Sequence, residues 1–413
     1  MSRAESATPP LLRRLNAGRV LDVLRSGGPL NVAELAAEAG LSRVTLDAVV
    51  EDLIGLGLVA EVPKSATDGA RGRGRPPRRL RFRAESGYLL GVDIGAHRLE
   101  VVVTDLLGAV VGGRERSLDP AMSRPQRLRA ARRIAASAMD DARVSPSDLR
   151  AIGVGTPGIV DSQTGTVTYC NAMAGWSGLC LAAEFGRGFD CAVAVENDAN
   201  LATLGECWQG AAHGVDDVVL LLAGDRIGAG IVIGGELVRG KRGGTGEMTF
   251  LGLLRNTASS ESIEELLRAV VRTEVDQLIS RRQVQGEPVR TLLRGLAPLH
   301  GVQVDDLDRT LAAAQRRQRA AVRQVETAME RTCAVAIVIT TLVSPELFVI
   351  GGNASASGDI ILPAIRAALD GVSGPGVEPP QVAVSTLGER AVALGAIRKA
   401  LDLAVPHLLD AQG

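Results

Sequence analysis

The sequence predicts an α/β protein with a small, basic, helical module at its amino end and a larger body made of two similar halves. Three observations predict this. Residues 11–56 carry apolar positions at helical spacing, interrupted by glycine turns. From residue 88 onward, apolar strand-like runs alternate with helical stretches. The order hairpin, strand, helix, strand occurs twice, from residue 88 and from residue 217, which indicates two lobes with a cleft between them.

Composition supports a protein of this size and gives it an uneven charge. The chain has 413 residues, enough for two or three domains. Only 2% of the residues are aromatic, so the cores must consist mainly of Ala, Val, Leu and Ile. Residues 1–83 carry fourteen basic against nine acidic side chains, a net charge of +5, whereas the remainder carries a net charge of −6. A basic module on an acidic body suggests a polyanionic partner at the amino end.

Cysteine usage and hydropathy predict a cytoplasmic protein without a membrane partner. The five cysteines are dispersed and odd in number, which favours reduced thiols over a disulfide framework. The first twenty residues lack an apolar secretory core, and no uncharged run is long enough to span a bilayer.

The amino-terminal module is predicted to contain three helices. The first covers residues 11–25, and Asn31 can cap a second, over residues 32–39. After a glycine turn, Ser42 can cap a third, over residues 43–56. The positions assigned to the apolar face of the third helix are Val44, Leu46, Val49, Val50, Leu53 and Leu56.

This order predicts a winged helix-turn-helix. Residues 57–62 resemble the first strand of a wing, and residues 80–83 resemble the second. The third helix would present Ser42, Arg43 and Thr45 to a major groove or to its flanking phosphates.

The competing interpretation is a small helical bundle that contacts protein. Asp47, Glu51 and Asp52 lie on the same third helix and count against DNA, because carboxylates repel phosphates.

Residues 71–83 favour the DNA interpretation. This segment holds seven arginines and no acidic residue, and Arg71, Arg73 and Arg75 alternate with glycine and proline. An extended strand of this kind can lie in a narrow minor groove, although a solvated linker is the alternative. We expect double-stranded DNA as a partner. Because one winged helix reads only a half-site, we expect a homodimer or a dimer of dimers.

The body contains predicted strands and helices in alternation. The predicted strands are 89–94, 99–104, 151–155, 192–196, 217–223, 229–234 and 347–351. The predicted helices are 125–142, 198–210, 261–282 and 320–343.

Several of these strands end in residues with chemical character. Asp93 ends the first strand and is followed by a turn at Gly95, where backbone N–H groups could approach a phosphate and the carboxylate could hold Mg²⁺ through water. Asn197 and Asp198 lie between a strand and a helix, where α/β folds place ligands, and a carboxylate there can accept a proton from a substrate hydroxyl. A plain helix cap explains the same two residues equally well. A Pro-Gly turn at Gly158 follows another strand.

These residues, in this order, resemble the ROK family (repressors, open reading frames, kinases). Asp93 and Gly95 resemble its first phosphate motif, Gly228 the end of its second, and Gly351-Gly352 its adenosine loop. The motifs similar to its sugar site are Gly155-Thr156-Pro157-Gly158, Glu196-Asn197-Asp198-Ala199-Asn200 and Gly246-Glu247. The resemblance implies that Asp198 matches the catalytic base and that Asn197 and Glu247 match residues holding sugar hydroxyls.

The resemblance also implies the fold: a winged helix-turn-helix followed by a two-lobed, actin- and hexokinase-like sugar-kinase body. The expected division is a DNA-binding domain over residues 1–70, a wing and linker over 71–87, and a ROK body over 88–413.

The chain departs from the family pattern at both ends of a phosphoryl transfer. Arg226 stands where the second phosphate motif usually has glycine, and a side chain there would crowd a phosphate, while the neighbouring Asp225 would repel it. Phe250 replaces a histidine that usually binds zinc and sugar, and residues 251–263 lack the usual cysteines. We therefore expect no metal and no cofactor.

The sequence thus predicts a DNA-binding regulator, a repressor, whose kinase-like body senses a sugar or other effector and assembles without catalysis. An active ATP-dependent sugar kinase with a DNA-binding domain is the alternative. A regulator whose cleft is vestigial is a third.

Overall fold

A computed structural model describes residues 9–62, 78–223, 227–247, 318–352, 355, 358–372 and 378–409. Within these residues, the α-helices are α1 Pro9–Gly27, α2 Val32–Ala39, α3 Arg43–Gly55, α4 Arg124–Ala142, α5 Leu181–Gly186, α6 Asp198–Gln209, α7 Gln318–Val343, α8 Gly358–Val372 and α9 Ala391–Ala404. The strands that precede α6 are β1 Leu30–Asn31, β2 Val59–Glu61, β3 Arg79–Phe82, β4 Tyr88–Ile94, β5 Arg98–Asp105, β6 Val110–Ser117, β7 Leu149–Thr156, β8 Ile159–Asp161, β9 Thr166–Tyr169, β10 Leu179–Cys180 and β11 Ala192–Asn197. The later strands are β12 Val218–Ala223, β13 Ile227–Ile233, β14 Glu236–Leu237, β15 Leu347–Gly351 and β16 Gln381–Val384.

The amino-terminal elements begin and end where their capping residues require. The Asn31 side chain accepts hydrogen bonds from the first backbone N–H groups of α2, and the Glu34 side chain reaches back to the Asn31 N–H, which is a capping box. Gly40 ends α2 in the left-handed conformation, and Ser42 then caps α3. Strand β3 pairs antiparallel with both β1 and β2. The three predicted helices and the two predicted strands beside them are present.

The body contains two five-stranded sheets with the same internal order. The first sheet has the order β11-β7-β4-β5-β6, and the second has the order β14-β13-β12-β15-β16. In each, a leading antiparallel hairpin (β4–β5 or β12–β13) is joined by two further parallel strands. The duplication predicted from the sequence is therefore confirmed. We call the two halves the first lobe and the second lobe.

The last helix of each lobe packs against the sheet of the other. Helix α6, which follows the first sheet, contacts β12 and β13, and α9, which follows the second sheet, contacts β4 and β7. The two helices also cross each other at Gly205 and Gly395. A Cβ on Gly205 would lie 2.5 Å from the Ala391 carbonyl oxygen, and a Cβ on Gly395 would collide with the Leu201 carbonyl. Glycine is required because the backbones approach too closely for any side chain.

Helix α9 also joins the body to the amino-terminal module. Its last residues, Leu401 and Ala404, and the following Leu408 are buried in one apolar cluster with Leu24 and Leu53 of the module. The amino end of α9 instead lies in the cluster between α6 and the second sheet. One helix therefore spans from the interface of the lobes to the core of the module.

One expectation about the helices was wrong, and another concerns residues that the structure does not describe. Val44, assigned to the apolar face of α3, is 81% exposed, so that assignment was wrong. The predicted helix 261–282 lies outside the described residues. The five cysteines are all free thiols, as expected. Within the described residues, no helix is both long and apolar enough to cross a membrane.

Candidate functional site

The candidate ligand-binding residues of the first lobe lie at the carboxyl edge of its parallel strands. Asp93, the next-to-last residue of β4, lies opposite Gly155 of β7, and Asn197 ends β11 opposite Thr156. The buried indole of Trp176 donates from Nε1 to Thr156 Oγ1 at 2.8 Å and holds the end of β7 in place. This is the edge at which open α/β sheets bind ligands.

Asn197 acts as a helix cap and keeps capacity for a ligand. Its Oδ1 accepts a hydrogen bond from Asn200 N at 3.1 Å, so the capping interpretation is correct for this residue. Its Nδ2 donates to the Gly158 carbonyl at 3.0 Å. Gly158 has φ of 101°, and a Cβ there would collide with the Tyr169 carbonyl, so only glycine fits this turn. Each amide atom of Asn197 retains one further hydrogen-bonding position.

Asp198 and Asp93 interact electrostatically across this edge. Asp198 is the first residue of α6 and is half-buried. Burial raises the pKa of Asp93 well above its ordinary value, and the negative charges of Asp198 and Glu100 raise it further, while Arg98 lowers it. The two carboxylates are therefore close enough for one to disfavour the ionisation of the other.

The turn after Asp93 is fixed by a buried arginine that the sequence reasoning missed. Arg127 of α4 is only 1% exposed, and its Nη1 donates to the carbonyls of Gly95 and Ala96 at 2.7 and 2.8 Å. The Gly95 N–H donates to the Arg98 carbonyl at 2.9 Å. Burial lowers the pKa of Arg127. The available signal was an arginine beside Leu128 on the apolar face of a predicted helix.

A segment of the second lobe brings Glu247 to the first. Glu247 forms an isolated β-bridge with Gly228 at the start of β13, and the Ala229 N–H donates to the Gly246 carbonyl at 2.9 Å. A Cβ on Gly228 would lie 3.1 Å from the Ala199 side chain, next to Asp198. These contacts connect the Glu247 segment, through Gly228, to the start of α6 next to Asp198.

An ion pair between the lobes anchors this segment. Arg239, which follows β14, contacts Glu196 Oε2 through Nε at 2.6 Å. The Glu196 side chain is 2% exposed, and its Oε1 accepts from Asn200 Nδ2 at 2.9 Å and from the Asn197 N–H at 3.0 Å. Sequence reasoning missed this pair, since the two residues are 43 positions apart.

The residues resembling the adenosine loop lie elsewhere on the second sheet. Gly351 ends β15 beside β12, and the Gly352 carbonyl accepts from Ser355 Oγ at 2.7 Å. Among the described contacts, none joins Gly351 or Gly352 to Asp93 or Asp198. Asp225, Arg226, Phe250 and Asn353 lie outside the described residues.

No cluster able to hold a metal is present in the described part of the chain. Among those residues, no group of three or more His, Cys, Asp or Glu side chains is arranged for metal binding. Because residues 248–317 are outside that part, the absence of zinc stays a prediction.

Two of the three residues predicted to contact DNA at the start of α3 take part in its amino-terminal cap. Ser42 Oγ accepts from the Thr45 N–H at 3.2 Å and lies 2.8 Å from Thr45 Oγ1, so both hydroxyls are engaged in the cap, while Arg43 is exposed.

Two of the three carboxylates that counted against DNA are paired with arginines. Asp52 accepts two hydrogen bonds from Arg13, at 2.5 and 2.6 Å, and Glu51 contacts Arg78 Nη1 at 3.1 Å. Their repulsion of phosphates is therefore reduced. Arg71, Arg73 and Arg75 lie outside the described residues.

Comparison with known proteins connects the chain to both regulators and kinases. The ROK family model matches residues 89–260. A protein named xylose repressor from Caldicellulosiruptor bescii is 25% identical over 402 residues, covering 94% of this chain and 95% of the relative. A crystal structure described as a ROK family transcriptional regulator, homologous to the E. coli MLC protein, has a TM-score of 0.67 at 22% identity and covers 97% of this chain and 98% of its own. A ROK family glucokinase from Streptomyces griseus, crystallised with glucose and AMPPNP, has a TM-score of 0.55 at 27% identity, covering 76% of this chain and all of its own.

Proposed function

We propose, for a chain that carries a ROK family domain over residues 89–260, that it is a DNA-binding transcriptional repressor. Its kinase-like body binds a sugar effector and does not phosphorylate it. The xylose repressor of Caldicellulosiruptor bescii matches over 94% of this chain, whereas the glucokinase covers 76% of it. A regulator needs a DNA-binding module in addition to the kinase-like body.

The observation that carries the proposal is the build of the amino-terminal module. Helices α2 and α3, joined by the Gly40–Ser42 turn, followed by the β2–β3 ribbon, support a winged helix-turn-helix. Helix α3 is then the recognition helix, with Arg43 at its exposed first turn. We propose the division into residues 1–70, 71–87 and 88–413, with Arg71, Arg73 and Arg75 contacting a minor groove.

Coupling between effector and DNA is supported by helix α9. Its amino end packs on α6, whose first residue is Asp198, and its carboxyl end is buried in the module core. A ligand that changes how the lobes close would move α6 relative to α9 and so bias the module.

The effector site would use Asn197, Asp198, Glu247 and Gly158. Amide and carboxylate groups at the edge of a cleft suit the several hydroxyls of a sugar. Because the relatives include proteins named for xylose and for N-acetylglucosamine, a pentose or an N-acetylated hexosamine is the first class to test.

An ATP-dependent sugar kinase is the second candidate, since Asp198 stands at a strand end close to Asp93. Coupled ATP turnover with a panel of pentoses, hexoses and N-acetylhexosamines decides between them. We expect no turnover. Turnover that disappears in Asp198→Asn would establish the kinase.

Assembly follows from the DNA-binding role. Two-fold symmetric operators require two modules about one helical turn apart, or a multiple of it, so we propose a homodimer or a dimer of dimers. Sedimentation of the full chain as a monomer at micromolar concentration would contradict this.

The direct test of DNA binding is fluorescence anisotropy of the full chain on duplexes selected from genomic DNA. We expect log K to fall linearly with log salt, by about 0.9 for each phosphate neutralised. Arg73→Ala with Arg75→Ala should flatten the slope for every sequence, whereas Arg43→Ala should also reduce base preference. No binding at low salt would refute the proposal.

A further inference from the structure

The outward face of α3 can be defined from its buried face. Leu46, Val49, Val50 and Leu53 are 2% exposed or less and form the side that packs on the module core. An α-helix turns by about 100° per residue. Positions two residues before and two residues after Leu46 therefore point away from the core, and these positions are Val44 and Ala48.

The side chains along this outward line are small and apolar, apart from Glu51. Val44 is 81% exposed, Ala48 is exposed, and Gly55, on the same line near the end of α3, has open space where a Cβ would lie. The one acidic side chain on the line, Glu51, is held by Arg78.

The polar groups beside Val44 leave it as the projecting side chain of the first turn. The Ser42 and Thr45 hydroxyls are 2.8 Å apart and engaged in the cap, and Thr45 is only half-exposed. Arg43 is exposed next to Val44. Val is β-branched, so its isopropyl group is held in few rotamers and loses little freedom on contact. The exposed apolar group is thus rigid and lies beside a cation in the first turn of α3.

We propose that Val44 and Ala48 contact the C5-methyl group of thymine in the major groove of each operator half-site. This inference rests on the proposed DNA-binding function and goes beyond it by naming the chemical group that is read. The thymine methyl is the only apolar group on the major-groove edges of the four bases, and the major groove is wide enough for a helix. A small outward ridge allows α3 to approach the base edges closely. The sequence analysis had placed Ser42, Arg43 and Thr45 at the major groove or its flanking phosphates and had assigned Val44 to the apolar face.

The experiment uses the full chain and a duplex operator selected from a randomised pool. Each thymine of the operator is replaced in turn by deoxyuridine, which removes the methyl group alone, and Kd is measured at constant salt. For the wild type, we expect at least one thymine in each half-site whose replacement weakens binding about fourfold, which corresponds to roughly 0.8 kcal/mol for one buried methyl. For Val44→Ala, the same replacement should have less than a twofold effect, because the methyl group has lost its main partner.

A matched variant controls for loss of an exposed apolar side chain. Leu15→Ala removes a side chain that is 51% exposed on α1, on a different element from α3, and should leave the deoxyuridine pattern of the wild type unchanged. Melting temperatures of both variants equal to that of the wild type confirm that folding is unaffected.

The outcomes separate this inference from the function on which it rests. Sequence-specific binding with a flat deoxyuridine scan, or with the same scan for Val44→Ala as for the wild type, would overturn the methyl contact and leave the repressor proposal intact. Absence of any specific binding would refute both.

Discussion

Replacing Arg239 with methionine tests the ion pair that anchors the Glu247 segment to the first lobe. Methionine keeps most of the apolar stem and removes the guanidinium, so the Glu196 carboxylate loses its charged partner at Oε2. Glu196 is almost fully buried and keeps two hydrogen bonds, both at Oε1. Breaking a buried ion pair by removing one partner costs about 3–5 kcal/mol, because an uncompensated charge remains buried.

The expected magnitude lies at the low end of that range. The Arg239 side chain is 28% exposed, so water can reach part of the site once the guanidinium is gone. We expect a loss of about 3 kcal/mol. At roughly 2 °C per kcal/mol for a unit of this size, the melting temperature should fall by about 6 °C.

The assay is thermal unfolding of Arg239→Met, of Glu196→Gln with Arg239→Met, and of Arg114→Met as the control. The double variant removes the buried charge and should recover most of the stability. Arg114 forms an ion pair of similar length with Asp141, but both side chains are about half-exposed, and its loss should have little effect. Equal shifts for Arg239→Met and Arg114→Met, or no recovery in the double variant, would refute the reasoning.

Three further predictions concern titratable groups that are buried or half-buried. Because the pKa of Asp93 is raised in the folded protein, its ionisation opposes folding, and Asp93→Asn should raise the melting temperature at pH 7.5. The gain should shrink as the pH falls toward about 3.9, the ordinary pKa of Asp, and a series of melting curves at different pH values checks this. Glu206 of α6 is fully buried and accepts from backbone N–H groups, including that of Leu387 at 3.1 Å, so Glu206→Gln should lower the melting temperature by placing an amide donor against donors; an unchanged value contradicts this. Burial raises the pKa of Cys191 and of Cys207 to about 11. Iodoacetamide at pH 8 should therefore alkylate both thiols far more slowly in the native protein than in urea, as followed by mass spectrometry. Equal alkylation rates in the two conditions would contradict this prediction.

Local signals in the sequence were sufficient for many of the elements, although β6, α8 and α9 were not predicted, and for the placement of several candidate site residues. Asn31 and Ser42 mark helix starts because a short polar side chain satisfies free N–H groups whatever the tertiary fold. Asp93 and Asn197 were correctly placed at the carboxyl edge of the sheet because a polar residue at the end of an apolar strand lies there wherever the strand pairs.

Contacts between distant segments could not be read in this way. The ion pair of Glu196 with Arg239 and the hydrogen bond of Arg127 to the Gly95 carbonyl depend on which elements meet in space. Local sequence patterns do not show which distant elements are in contact. Val44 was assigned to the wrong face of α3 because apolar residues occur on both sides of this helix, and only packing on α1, α2 and β2 determines which side is buried.

The most direct test of the account is the effect of a sugar on operator affinity. Kd of the full chain for its selected operator is measured with and without each of D-xylose, D-glucose and N-acetylglucosamine, in the wild type and in Glu247→Gln. Coupling free energies of this kind typically change affinity by about 5–150-fold. We predict that one sugar weakens operator binding within that range for the wild type and by less for Glu247→Gln. A sugar that raises the melting temperature yet leaves Kd for the operator unchanged would contradict the claim that the cleft controls DNA binding.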